Sequence, residues 1–348
     1  MDLLSTMNLK LFRCAALVGC ALSATNYIAA QTPAQTQAPA PAAAAQAGEP
    51  KNISEWLTRM HEASRNRSYI GTFVVSSGGV MSSAKIWHVC DGTQQIERVD
   101  TLTGPPRSTF RHNDQVVTFM PEHKLVRAEK RESLGLFPEL LKSAGGHIGD
   151  FYQARQEGRE RVAGVDTDVI ALLPKDNMRF GYRVWAEQKK GLVVKLQTLD
   201  TDGKVLEQAA FSELQFDVPV KVEKLVQMMN KVDGYRVEKP ELVKTTASAE
   251  GWALKKPVAG FQPMSCHKRP RAAQPGDAPM QWVFSDGLAS VSIFVEPFDA
   301  QRHLKESRMA MGATQSLTRR METWWLTVIG EAPMATLGQF ADGLERKK

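Results

Sequence analysis

The chain has 348 residues, with 44 Lys plus Arg against 38 Asp plus Glu, a formal net charge of +6. Its 43% hydrophobic and 24% charged residues are the composition of a globular protein, which excludes wholesale disorder, and the length calls for two domains rather than one core. Past the N-terminus no apolar run reaches the roughly 18 residues of a membrane-spanning helix, and no basic block is large enough to argue for nucleic acid as a partner.

Lys10 and Arg13 precede an apolar stretch that closes on Tyr27-Ile28-Ala29-Ala30, the pattern of a secretory signal, with residues 1–30 removed by cleavage after Ala30. Leu17-Val18-Gly19-Cys20 also fits a lipoprotein cleavage box. Only six residues separate Arg13 from Cys20, however, so a soluble periplasmic product is favoured over a lipoprotein acylated at Cys20. Residues 31–50, rich in Ala, Pro and Gln, read as a flexible leader. Cleavage leaves Cys90 and Cys266, 176 residues apart and in no framework spacing. They are expected to be unpaired, and a bridge between them stays open as the alternative in an oxidising compartment.

Asn52 and Glu55 have the spacing of a capping box, and Ile53, Trp56, Leu57 and Met60 fall on one face of the helix that follows. From Tyr69 the period changes to two, and Gly78-Gly79 turns the chain into a hairpin with Val80 to Cys90. Turn signals then recur at intervals of about ten residues as far as Asp202-Gly203, which describes a long antiparallel meander. A helical stretch around Leu134 to Lys142 interrupts it. The large domain is placed at 51–225, a linker at 226–250 with its most charged part from Asp233, and a small domain at 251–345. The small domain carries strands around Gln281 to Phe284, Ala289 to Val295 and Trp324 to Ile329, then a closing helix after Pro333. The fold class is α+β with two domains: a curved antiparallel half-barrel with covering helices, and a small α+β domain.

Motifs for catalysis are missing. His61-Glu62 begins like a zinc-protease helix, but position 65 is Arg where a second His is needed. Ser82-Ser-Ala-Lys85, Lys244-Thr-Thr246 and Ser285-Asp-Gly287 imitate the penicillin-binding signatures. Their order is wrong, and Ser82 sits in a strand where the nucleophile should open a helix. Cys266-His267 are strand neighbours that point to opposite faces, so they make no nucleophile and base pair. No metal, cofactor or catalytic residue is assigned, and the chain reads as a binding protein. Phe73, Trp87, Phe110, Phe119, Phe137, Leu140, Leu141 and Trp185 are large apolar residues on the curved sheet and its helix. Singly each reads as core; together they are the candidate lining of an acyl-chain cavity, and all but Phe110 are carried as site residues. In the small domain Arg319, Arg320 and Trp324 are the residue types enriched in binding hot spots and are the candidate partner contacts.

Three segments carry a family resemblance. Tyr182-Arg-Val-Trp185, running through Gly191-Leu-Val-Val-Lys195 to Gly203-Lys-Val-Leu-Glu207, resembles the end of the large domain of the RseB/MucB regulators. Phe284-Ser-Asp-Gly-Leu-Ala-Ser-Val-Ser-Ile-Phe-Val-Glu296, and Met311-Gly-Ala-Thr through Thr318-Arg-Arg to Thr327-Val-Ile-Gly-Glu-Ala-Pro333, resemble their small domain. The resemblance implies a large domain similar to the lipoprotein carriers LolA and LolB. It implies a periplasmic protein that binds the periplasmic part of a single-pass membrane anti-sigma factor and shields it from site-one proteolysis. It also implies release of that partner when a lipid or lipopolysaccharide signal occupies the large domain, so that an extracytoplasmic stress sigma factor is restrained until the envelope is damaged. A lipid or lipoprotein carrier of the same fold is the alternative, and a homodimer stays open.

Overall fold

The computed structural model describes residues 52–90, 94–130, 147–269 and 278–347. The expected signal and leader and the helical stretch around Leu134 lie wholly or mostly outside these residues, as do Phe137, Leu140 and Leu141.

Helix α1 (Ile53–Asn66) opens with the full capping box: Asn52 Oδ1 accepts from the Glu55 amide at 2.9 Å, and Glu55 reaches back to the Asn52 amide at 3.2 Å. It buries Ile53, Trp56, Leu57 and Met60. Strands β1 (Tyr69–Ser77) and β2 (Val80–Cys90) follow, joined by Gly78 and Gly79 at φ +57° and +81°. Two consecutive left-handed residues are what the tight hairpin turn demands, and glycine adopts that conformation at little cost. The meander continues through β3 (Gln95–Thr101), β4 (Ser108–His112), β5 (Gln115–Met120) and β6 (Leu125–Lys130). After the short helix α2 (Ile148–Phe151) it resumes as β7 (Tyr152–Val162), β8 (Val165–Pro174), β9 (Gly181–Glu187), β10 (Val193–Leu199) and β11 (Val205–Phe216).

These strands form one open, curved sheet in the order β6-β5-β4-β3-β2-β1-β11-β10-β9-β8-β7. Both its faces are covered. Against one face pack the apolar residues of α1, meeting Phe73, Ile86, Val184, Leu196 and Phe211 in the principal core. Helix α3 (Val222–Asn230) covers part of the other face, burying Val222, Leu225 and Met229 against Val89, Ile96, Phe110, Phe119 and Val126. The expected linker region is tied down at both ends. Strand β12 (Arg236–Glu238) extends the large sheet by pairing parallel to β6, and β13 (Val243–Lys244) pairs with the small sheet.

The small domain consists of β14 (Trp252–Leu254), β15 (Gln262–Lys268), β16 (Met280–Ser285), β17 (Ser290–Pro297), β18 (Ser307–Met311), β19 (Thr314–Met321), β20 (Trp324–Gly330), helix α4 (Met334–Gly343) and β21 (Leu344–Arg346). Its main sheet runs β13-β15-β16-β17-β20-β19-β18, while β14 and β21 make a separate pair. Leu337, Phe340 and Ala341 of α4 are buried against Val291, Ile293, Leu326 and Val328. Among the described residues no helix is long and apolar enough to cross a membrane. Cys90 and Cys266 are not joined in a disulfide.

A row of polar side chains crosses four adjacent strands inside the large domain. Tyr69, His88, Glu97 and Arg111 are successive register partners on β1, β2, β3 and β4. Tyr69 stacks on the His88 ring, Glu97 accepts from His88 Nδ1 at 2.8 Å, and Arg111 Nε donates to its second oxygen at 2.9 Å. Burial disfavours the charged forms, but this bonding and charge complementarity outweigh it. His88 is lifted from 6.5 to about 9 and Glu97 is lowered from 4.5 to about 2. The raised histidine therefore stabilises the fold below pH 6.5 and loses that contribution as pH rises through about 9. The lowered glutamate stabilises above 4.5 and loses its contribution as pH falls through about 2. Thermal melting followed by circular dichroism is expected to show wild-type stability falling between pH 6.5 and 9, with a shallower fall in His88→Gln. Equal slopes in the two proteins would show that the histidine is not charged in the fold.

Candidate functional site

The two domains meet at a buried arginine. Arg179 closes the Pro174-to-Phe180 loop before β9, its side chain fully buried, and Asp176 takes its Nε at 2.9 Å. Arg179 Nη1 donates to Asp286 Oδ2 of the small domain at 2.8 Å, and Nη2 to the Ala259 carbonyl at 2.8 Å. Tyr152 Oη donates to the same Asp286 oxygen at 3.0 Å, and the guanidinium lies over the Phe151 ring. Gly260, at φ +81°, lets the Ala259 loop come this close, since a Cβ there would stand 2.8 Å from Arg179 Nη1. A second contact comes from α4, where Thr336 Oγ1 donates to the Met178 carbonyl at 2.5 Å.

Asp286 also shapes its own turn. Its Oδ1 accepts the amides of Leu288 at 3.0 Å and Ala289 at 2.8 Å, and Ser285 Oγ donates to the Ala289 carbonyl. The turn that carries the ion pair therefore also aims Leu288. That side chain leaves the small domain and packs on the principal core of the large one. There it lines an apolar cavity with Met60, Leu172, Tyr182, Val184, Val193 and Leu196. The cavity measures about 20 Å³, room for roughly one water-sized sphere and far below the ~300 Å³ at which ligand pockets begin. A second concavity of about 860 Å³ lies in the small domain, floored by Trp252, Phe261, Trp282 and Phe284 and edged by Lys244 and His267.

The four described residues of the expected acyl cavity do not line one chamber. Phe73 lies on the α1 face, edge-on to Phe211. Trp87 pairs in register with Ile70 and Arg98, so it points to the other face. Phe119 is on that face too, against Phe110, Tyr235 and Met229 under α3. Trp185 registers opposite Lys195, whose ammonium sits 3.9 Å from its ring centre, and its Nε1 donates to Glu160 at 2.7 Å. The reason is the period of two: an odd offset in register sends an aromatic to the opposite face whatever its hydrophobicity.

The expected partner contacts separate in the same way. Arg319 and Arg320 are neighbours on β19 and face opposite sides. Arg319 bonds Asp342 and the Ala341 carbonyl at the end of α4. Arg320 is exposed; its guanidinium lies over Phe298 at 4.0 Å, and its Nε donates to the Glu322 carbonyl. Trp324 is edge-on to Trp252, and Arg346 lies over both indoles. Sequence reasoning missed Arg179, Asp286 and Leu288. Asp286 and Leu288 lie inside the Phe284-to-Glu296 segment that carried the family resemblance, while Arg179 had no signal beyond its turn. Among the described residues no group of acidic, His and Cys side chains is arranged to hold a metal.

This is a two-domain protein in which a turn of the second domain packs on the half-barrel of the first, with Leu288 lining its small apolar cavity. The MucB/RseB N-terminal domain model matches residues 52–229 and the MucB/RseB C-terminal domain model residues 246–345, and the chain belongs to the MucB/RseB family. The Sigma factor AlgU regulatory protein MucB of Pseudomonas aeruginosa is 27% identical over 295 residues, covering 83% of this chain and 90% of that protein. The Sigma-E factor regulatory protein RseB of Escherichia coli K12 is 22% identical over 295 residues, covering 83% and 89%. A crystal structure of MucB in complex with MucA(peri) matches with a TM-score of 0.65 at 25% identity, over 85% of this chain and 99% of that one.

Asp286→Ala is expected to lower the unfolding free energy by about 3 kcal/mol. That is the lower part of what breaking a buried pair costs, because Asp176 still faces Arg179. Urea denaturation measures it, and a loss below about 1 kcal/mol would place the pair in solvent.

Proposed function

We propose that this chain is a non-catalytic periplasmic regulator of an extracytoplasmic stress sigma factor. It binds the periplasmic part of a single-pass membrane anti-sigma factor, shields that part from site-one proteolysis, and releases it when a lipid or lipopolysaccharide-type signal enters the large domain. The observation that carries the reading is the family match along both domains, joined to a large-domain cavity that the small domain itself plugs. A cavity of about 20 Å³ has no room for an acyl chain while Leu288 is seated. A lipid that binds there favours the arrangement with the plug withdrawn. A ligand shifts a two-state equilibrium only through its differential affinity for the two states, and displacement of Leu288 supplies that difference. The partner then needs only to prefer the plugged arrangement.

The test is a protease-protection titration. The mature protein is added to the periplasmic domain of its anti-sigma factor and the site-one protease, with and without lipopolysaccharide. Protection that lipopolysaccharide reverses is the expected result, and Leu288→Ala is expected to lower the lipid concentration needed by about tenfold, the equivalent of ~1.4 kcal/mol of lost side-chain burial. Protection that no lipid reverses would retain the partner and discard the signal. Absence of protection, with stoichiometric lipid bound and passed to an acceptor, would make the protein a carrier.

A further inference from the structure

A sheet edge presents a row of unpaired backbone N–H and C=O groups, which is a template for another strand. Proteins blunt such edges with short strands, charge, proline or bulges. Three of the four edges of the two main sheets are blunted in these ways. Strand β12 has three residues and β13 two, and beyond β13 the edge of β15 carries Pro263 and a register shift before Ser265. Strand β7 shifts register between Gln156 and Gly158 and is charged from Arg155 to Arg161. Strand β18 ends the small sheet with no proline, no register shift and a single charge, Arg308. Every residue from Arg308 to Met311 is exposed, Met309 at 56% and Met311 at 43%.

The hairpin fixes which groups this edge offers. Met311 and Thr314 flank a two-residue turn, Gly312-Ala313, with Gly312 at φ +57°. They therefore form a hydrogen-bonded pair, and the pairing alternates from there. Ser307 and Met309 turn their amides towards β19, while Arg308 and Ala310 turn N–H and C=O outward. The Ser307 amide donates to Thr318 Oγ1 on β19 at 3.0 Å, in keeping with that alternation. Met309 and Met311 lie on one face of the strand and Arg308 on the other. The edge is also held in place. Gly312 rests on the large domain, where a Cβ would collide with Ser77 Oγ and stand 3.0 Å from Glu207 Oε2. A Cβ on Gly78 would stand 3.5 Å from the Gly312 amide nitrogen, and exposed Val80 and Met81 follow that turn.

We propose that β18 takes an extended segment of a partner polypeptide as an added strand, with apolar side chains beside Met309 and Met311 and an acidic one facing Arg308. Joined to the proposed function, on which the naming of the partner rests, the segment belongs to the periplasmic part of the anti-sigma factor. Outward backbone donors and acceptors call for a polypeptide, because another strand satisfies both kinds at once. Methionine adapts to apolar side chains of differing shape, and a strand already held in place lowers the cost of ordering on binding. Charge disfavours a second copy of this chain. Antiparallel pairing of β18 with itself through Arg308 and Ala310 would set Met309 opposite Met309. The two Arg308 side chains would then be diagonal neighbours on one face, a repulsion that an acidic partner replaces with attraction.

The experiment compares hydrogen–deuterium exchange of the full mature protein alone and with the periplasmic domain of its anti-sigma factor, resolved to single residues. In the complex the amides of Arg308 and Ala310 are expected to exchange at least about tenfold more slowly, and those of Met309 and Met311 to change little. Ala310→Pro removes one outward N–H and is expected to raise the Kd for that domain about tenfold by titration calorimetry. Arg308→Glu is expected to raise it about threefold at low salt and less at high salt. If Ala310→Pro lowers the melting temperature, Arg308→Glu and the exchange pattern decide. A complex that forms without slowing Arg308 and Ala310 overturns this docking mode and leaves the proposed function standing. Failure of the wild-type protein to form a complex overturns that reading and the partner named from it. A wild-type dimer that Ala310→Pro dissociates, with affinity for the anti-sigma domain unchanged, assigns the edge to a second copy and overturns the proposal.

Discussion

The arrangement of the molecule turns on one buried ion pair. Arg179 and Asp286 come from different domains, both side chains are wholly removed from solvent, and they meet at 2.8 Å. Charges so placed are tolerable only when paired and fully hydrogen-bonded, because desolvation costs several kcal/mol for each ion. The structure meets that demand from both sides. Asp176, Ala259 and the Phe151 ring complete the surroundings of the arginine, while Tyr152 and two backbone amides complete those of the aspartate. Such an interface has little tolerance for partial separation. Drawing the domains slightly apart would strand both charges, whereas opening far enough for water restores their hydration, so the contact favours two distinct states over a continuum.

The turn that supplies Asp286 also supplies Leu288, which makes ion pair and plug a single element. The carboxylate accepts the amide of Leu288, so the conformation that satisfies Arg179 is the one that seats leucine in the half-barrel. Coupling between the apolar interior of the large domain and the small domain then needs no long pathway. It passes through one turn, Ser285 to Ala289, whose hydrogen bonds hold both the carboxylate and the leucine.

The large sheet is a two-sided layer, and its faces do different work. One face meets α1 and the small-domain leucine, and it also holds the row of Tyr69, His88, Glu97 and Arg111. The other supports α3 and carries Trp87, Phe110 and Phe119, which makes that cluster ordinary core beneath a helix. The charged row buries three ionisable groups, His88, Glu97 and Arg111, side by side within the sheet. Its members satisfy one another across four strands, which is the condition for keeping such groups inside a sheet at all.

Local features were legible from the chain alone because the forces that make them are local. The capping box at Asn52, the Gly78-Gly79 turn, the alternation of β1 and the helix after Pro333 all depend on residues within a turn or a strand of one another. Family membership was legible too, since it rests on residue patterns such as Phe284 to Glu296. Which aromatics share a face was not. Trp87 and Phe73 differ in side through the register of β1 with β2, and bulges near Thr72 and Val193 shift the pairing of β11 and β10. Hydrophobicity says that a residue is buried, but register says where. The Arg179 and Asp286 pair joins positions 107 apart, and Leu288 lines a cavity of the other domain. By itself the sequence determined the opening helix, the hairpin and meander of the large domain, the closing helix, the two-domain class and the family. Only the tertiary structure decided the faces, the plug and the ion pair, because long-range partners are chosen by packing and desolvation, which no local pattern encodes.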